Sequence, residues 1–518
     1  MMSTLCSITL IYSHETSAAL TGFQLPWATI LTRPRFGVRL HTGDAEREVA
    51  GSNRPVTDRP SQFTGEFRFL VNYGKPEQKI GGTEMMVRAA RRLVGVVMVA
   101  LFVSCTSSVF NHVSLEYTCR YLISVSSPSS QDEGFVSCVF LPVGLGICST
   151  SRKLHYWFLE SASNPKSDPV VLWMNGGPGC SSDLGLLTEH GPFRVEDDGA
   201  NLMLNPFSWN TVANMLYLEA PAGVGYSYSD DGNYTTDDDQ TAQDNHLALQ
   251  DFFSKFPEFS QNEFFITGES YGGIYVPTLS ALVVDDKKIN FQGFAVGNGL
   301  SSAELNDDSL VYFTYYHGLI GETAWSMIVS ACCDGDSDNC TFSKNAQTKG
   351  DCAESLAIVM QVAWAGGLNV YNLYGPCAGG AGTTGMRTKY DPIRQSLVTG
   401  NFGCNILKYK STYKDVSPQY KKILKAGKRV LVYNGDIDMA CNFLGDEWFV
   451  DRLQMPVVKE RAEWYYQDEA QTKQVAGFSK QFKGITYVTV RGAGHMVPTD
   501  KPRPALEMFI NFITNKPF

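Results

Sequence analysis

From Lys153 onward, short apolar runs alternate with longer amphipathic stretches. Leu154–Glu160, Val170–Met174, Glu263–Thr267, Phe291–Val296, Arg429–Tyr433 and Tyr487–Val490 are short and rich in apolar or β-branched residues. They read as strands, several of them apolar throughout, as strands of a parallel sheet covered on both faces must be. Asp239–Phe256 reads as a helix, and Pro504–Ile513 as a terminal one. Alternation of strands and helices over 153–298 predicts a doubly wound α/β sheet. Residues 299–427 read as a helix-rich, cysteine-bearing cap insertion, and residues 428–518 return to the sheet with two strands and the last helix.

The pattern changes before Lys153. Residues 1–84 mix polarity without a sustained period and predict no folded domain. Met85–Arg92 is basic, Leu93–Cys105 is an apolar run, and small residues follow. Together 85–108 describe a signal peptide, with translation starting at Met85 or Met86; the apolar run is too short for a membrane span. Residues 109–152 receive no element. Their apolar stretch Phe135–Cys148 is broken by Pro142 and is not read as transmembrane.

A chain of 518 residues with 43% hydrophobic side chains can bury one large core or two domains. Its formal charge of −10 and the lack of a basic, aromatic-interleaved cluster exclude nucleic acid as the expected partner. Thirteen cysteines leave at least one unpaired. The cluster at 332, 333, 340, 352 and 377 lacks the spacing of a zinc site, so disulfides are expected in an oxidising compartment. Asp334–Asp338 has a calcium-loop flavour, but Asn339 and Asn345 fall where an EF-hand needs glycine and glutamate. No metal or cofactor is expected. Asn233 and Asn339 each open a glycosylation sequon in a polar, turn-rich stretch.

The chemistry centres on Gly268-Glu269-Ser270-Tyr271-Gly272, where an apolar strand enters a G-x-S-x-G turn. Such a turn lifts a serine hydroxyl above the end of a sheet. A serine needs a base and an oriented acid. Among eight histidines, His155, His190, His246 and His317 sit in structural settings, whereas His495 lies in a Gly-rich loop directly after a β-branched run. Asp436 and Asp438 both follow the Arg429–Tyr433 strand, and either can serve as the acid. The order serine, aspartate, histidine is that of α/β-hydrolases. A further strand, Val170–Met174, opens into Asn175-Gly176-Gly177-Pro178-Gly179-Cys180-Ser181-Ser182. Its Gly177 N–H and that of Tyr271, after the serine, are the expected oxyanion donors.

These motifs together (W-x-N-G-G-P-G-C-S-S, G-E-S-Y-G-G, N-G-D-x-D and G-A-G-H-M-V-P) resemble the serine carboxypeptidase family, and within it the animal lysosomal member. The resemblance covers Lys153–Gly382 and Cys404–Phe518. It implies an α/β-hydrolase fold and selects Asp438 as the acid. It also implies that Trp173, Asn175, Glu189 and Glu269 bind the free C-terminal carboxylate of peptide substrates. Two glutamates beside an anion require that one carry a proton, so binding should be tighter at acid pH. Further implications are disulfides Cys333–Cys340, Cys332–Cys352 and Cys180–Cys404, a homodimer, lysosomal delivery, and association with β-galactosidase and neuraminidase. Two stretches depart from the family pattern: the region before Leu154, and a shortened segment between Gly382 and Cys404 that leaves Cys377 without its expected partner.

Overall fold

The computed structural model describes residues 151–195, 201–338, 340–377 and 407–518, together with the backbone of three earlier strands. The expected signal peptide, Asn339, Cys404 and the stretch following Gly382 lie outside the described residues. The chain divides into two units, residues 1–76 with 119–142, and residues 77–118 with 143–518. In the first, Phe67–Arg68 runs parallel to Tyr121–Ser124, which pairs antiparallel with residues 137–140. That last strand, Ser137–Ile147, passes through Pro142, where the sequence pattern assigned no element.

The second unit is built on β1 (Arg152–Leu159), β2 (Val170–Met174), β3 (Asn214–Leu218), β4 (Phe264–Ser270), β5 (Phe291–Gly299), β6 (Arg429–Gly435), β7 (Val457–Gln467), β8 (Lys473–Phe482) and β9 (Ile485–Val490). Their order in space is β1-β3-β2-β4-β5-β6-β9-β8-β7. Pairing is parallel from β3 across to β9. It is antiparallel at the two margins, β1 on β3 and β9-β8-β7.

Every residue of β2 and β3 is buried, as strands covered on both faces require. Successive side chains of β4 show the two covers. Phe264 meets Phe253 of helix α1 (Asp238–Lys255), and Phe265 meets Phe512 of the terminal helix Pro502–Ile513. Helix α1 begins where the Asp237 carboxylate accepts the Gln240 amide at 2.9 Å.

Helix α2 (Gly272–Val283) leaves directly from β4. Between β5 and β6 come α3 (Ala303–Tyr316), α4 (Glu322–Cys333), α5 (Phe342–Ala346), α6 (Gly350–Met360) and α7 (Ser417–Lys425). The first four pack around Phe313, Ile328, Cys332, Phe342 and Cys352, and the loop after β6 adds Ile437 and Met439 to the same cluster. Disulfides Cys332–Cys352 and Cys333–Cys340 form as the resemblance implied. Among the described residues no helix is long and apolar enough to cross a membrane.

Candidate active site

The elbow is a local consequence of its glycines. Ser270 ends β4 at φ +62°, a left-handed conformation that strains any residue with a Cβ. The crowding around it explains the glycines at 268 and 273. A Cβ on Gly268 would lie 2.5 Å from the Met174 carbonyl oxygen, and one on Gly273 would lie 2.5 Å from the Leu300 amide nitrogen. Gly272 is less crowded, with its nearest neighbour at 3.2 Å.

Asp438 follows β6 and His495 follows β9, so both stand at the same sheet end as Ser270. The His495 Nδ1 lies 2.7 Å from Asp438 Oδ2. Asp438 is wholly buried and accepts further bonds from Asn298 Nδ2 (2.9 Å) and from the amides of Ala440 (3.0 Å) and Cys441 (3.2 Å). Asp436 is turned away and accepts the Gly492 amide at 2.6 Å. Of the two candidate acids, geometry thus pairs Asp438 with the imidazole.

With the carboxylate accepting, Nδ1 carries the proton and Nε2 keeps its lone pair. Burial alone would lower the His495 pKa, but the Asp438 charge and hydrogen bond outweigh it and hold the imidazole above its ordinary range. The His495 amide donates to the Tyr371 carbonyl at 2.6 Å, and the Tyr371 ring lies 4.9 Å from the imidazole. Among the described residues no hydrogen bond joins the imidazole to Ser270 Oγ. Such bonds are often long in unliganded sites and tighten when substrate arrives.

The loop after β2 packs directly on the elbow: a Cβ on Gly176 would lie 2.3 Å from the Tyr271 amide nitrogen. Gly177 beside it has φ +113°, which glycine adopts without penalty. The predicted carboxylate-binding residues form one network. Trp173 Nε1 and the Gly185 amide both donate to Asn175 Oδ1, at 2.8 and 3.1 Å. This fixes the amide orientation, so Asn175 Nδ2 donates to Glu189 Oε1 (3.0 Å) and to Glu269 Oε1 (2.9 Å). Trp173 itself is fully buried and its single N–H is engaged by Asn175. Burial first, then the charge of Glu189 and a hydrogen bond with it, push the Glu269 carboxyl well above the usual range.

Other sequence candidates are placed as follows. Asn233 is exposed in an irregular stretch. Cys180 is described, but its expected partner Cys404 is not. The four remaining described histidines named above are held structurally: His155 on Glu219, His190 between Trp173 and Trp209, His246 on Asp286, and His317 stacked on Phe313. Sequence reasoning missed Asn298, Tyr371, Arg194 and Asp500. Only Asn298 left a signal, standing between two glycines at the end of a strand and taking φ +41°.

A largely parallel sheet carrying a strained serine elbow, with an acid and a histidine on neighbouring strand ends, defines an α/β-hydrolase. The chain belongs to the serine carboxypeptidase family, whose model matches residues 144–402 and 398–515. Lysosomal protective protein of Mus musculus is 45% identical over 428 aligned residues, covering 71% of this chain and 89% of its own. Serine carboxypeptidase ctsa-4.1 of Caenorhabditis elegans is 37% identical over 429, covering 71% and 88%. The fold is similar to that of Kex1(Δ)p, a prohormone-processing carboxypeptidase from Saccharomyces cerevisiae. That likeness has a TM-score of 0.58 and 22% identity, over 77% of this chain and 92% of the other.

Proposed function

We propose that this protein is a serine carboxypeptidase that releases the C-terminal residue of peptides at acid pH. The observation that carries this reading is the Asn175 amide bridging Glu189 and Glu269, immediately beside Ser270. An endopeptidase or esterase has no need of paired carboxyls there. With Glu269 protonated, the pair can receive a terminal carboxylate by hydrogen bonding, and Asn175 supplies a neutral donor. Trp173 acts through Asn175, whose orientation it fixes.

His495 Nε2 takes the Ser270 proton as Oγ attacks the scissile carbonyl carbon. The N–H groups of Tyr271 and Gly177 hold the resulting oxyanion. Collapse breaks the C–N bond, and the imidazolium gives its proton to the departing amino acid. Water, deprotonated by the same imidazole, then frees the acyl-enzyme. Asp438 keeps the imidazole in the required tautomer throughout.

Similarity to lysosomal protective protein supports delivery to the lysosome; a homodimer and association with β-galactosidase and neuraminidase, which the family resemblance implies, complete the proposal. Asn233 and Asn339 would carry glycans, and Cys180 would pair with Cys404. The direct test is Ser270→Ala, which should lower release of the C-terminal residue by several orders of magnitude while leaving the fold intact. Appreciable turnover by the purified variant would end the assignment.

A further inference from the structure

Arg194 lies on the short strand Phe193–Val195, outside every motif, and its guanidinium contacts both the nearby Glu189 turn and a segment 305 residues further along the chain. Nε and Nη2 both donate to the Glu189 carbonyl, at 3.1 and 2.7 Å. Nη2 also donates to the Pro498 carbonyl at 2.6 Å, and Nη1 to the Thr499 carbonyl at 3.4 Å. Thr499 Oγ1 reinforces the junction by donating to the Thr188 carbonyl at 3.0 Å. One partly buried cation therefore ties the turn bearing Glu189 to the chain just after His495.

The tie continues to the histidine loop itself. Asp500 Oδ2 accepts the Gly494 amide at 2.7 Å and Asn372 Nδ2 at 3.1 Å. Gly494 precedes His495, and Asn372 follows Tyr371, whose carbonyl holds the His495 amide. Arg194 is close enough to both Glu189 and Asp500 for each to favour its charged form against burial. From Glu189 to His495 the connection runs through backbone groups joined by the Arg194 guanidinium, the Thr499 hydroxyl and the Asp500 carboxylate, and the guanidinium fork makes most of the bonds between the two segments.

We infer that Arg194 is a positioning residue that holds the Glu189 turn and the His495 loop in one register, so that a carboxylate seated on Glu189 and Glu269 places the scissile bond at the base. This rests on the carboxypeptidase reading above. The fork matters more than the charge: a planar guanidinium can serve three carbonyls at fixed angles, whereas a lysine ammonium is a point donor on a flexible stem. Misplacement of a binding group by a fraction of its contact distance is enough to cost rate.

The test compares wild type, Arg194→Lys and Arg194→Met on two peptides that differ only in a C-terminal carboxylate or carboxamide, with melting temperature measured alongside. Wild type should prefer the free acid. In both variants that preference should fall by about tenfold or more, chiefly through KM for the acid. Arg194→Lys, which keeps the charge and the apolar stem, should melt close to wild type. An equal loss of kcat/KM on both peptides would show a merely structural role and overturn the inference. So would an Arg194→Lys protein that keeps the full preference. A wild type indifferent to the carboxylate would bring down the carboxypeptidase reading and this one with it, and that result is recognisable before any variant is made.

Discussion

Two residues of this site have opposed proton requirements. His495 must be neutral to accept the serine proton, and its pKa is raised, so kcat/KM should decline on the acid side as the imidazole gains a proton. Glu269 must be protonated to receive an anion. Its raised pKa keeps it neutral above the ordinary carboxyl range, and repulsion with Glu189 returns once pH passes that raised value. KM for a free-acid peptide should therefore be low in acid and climb once pH passes the raised Glu269 value. Glu269→Gln is neutral throughout and its oxygen can still accept from Asn175, so the climb should flatten. A KM profile that rises in the variant as it does in wild type would show that Glu269 is not the titrating group.

At the scale of elements, the segment between β5 and β6 contributes to the site through Tyr371 and Asn372, which lie in a loop after α6, and the packing of its helices includes a covalent link. Cys332, in the last turn of α4, pairs with Cys352 in α6 across a Cα separation of 4.5 Å. Closing a loop of this length removes unfolded-state freedom worth about 3 kcal/mol. The double substitution Cys332→Ser, Cys352→Ser should lower stability in urea by about 2–4 kcal/mol. An unchanged midpoint would mean that the cluster around Phe313 and Phe342 suffices without the bond. The hairpin β7–β8 was not foreseen, for a visible reason. Most of β7 is exposed and only Trp464 is buried, so it lacks the apolar run that marks an inner strand.

For the whole molecule, burial of ionisable groups sets how stability follows pH. Glu269 and Asp183 are raised by burial and by a neighbouring carboxylate, and burial pushes Asp446 up to about 7. Between the ordinary value and the raised one, the fold keeps protons that the unfolded chain releases, so stability falls as pH rises through that window. His495, raised, acts in the same direction, its stabilisation being lost as pH rises through the folded value. His190 opposes them. Burial and the Arg194 charge keep it neutral, which penalises the fold as pH falls through the unfolded value. The carboxyls outnumber it, so the melting temperature should fall as pH rises through the interval over which Asp446 titrates, up to about 7. Asp446→Asn, which can still accept from Gly299 and Asn434, should flatten that slope. A melting temperature rising steadily across the interval would contradict the account.

The inner strands other than β3, the elbow and the three candidate residues at strand ends were legible because each is local: an apolar run, a glycine where no Cβ fits, a histidine in a Gly-rich loop. The paired carboxyls were legible only through family resemblance, since nothing in the spacing of Glu189 and Glu269 says that Asn175 will bridge them. The choice between Asp436 and Asp438 needed either that resemblance or the coordinates, because both stand in the same turn and only backbone direction turns one toward the imidazole. Arg194 was invisible. Its role is to satisfy backbone carbonyls of segments distant in sequence, and carbonyls carry no sequence signature, so which of them converge on one guanidinium is decided by tertiary structure alone.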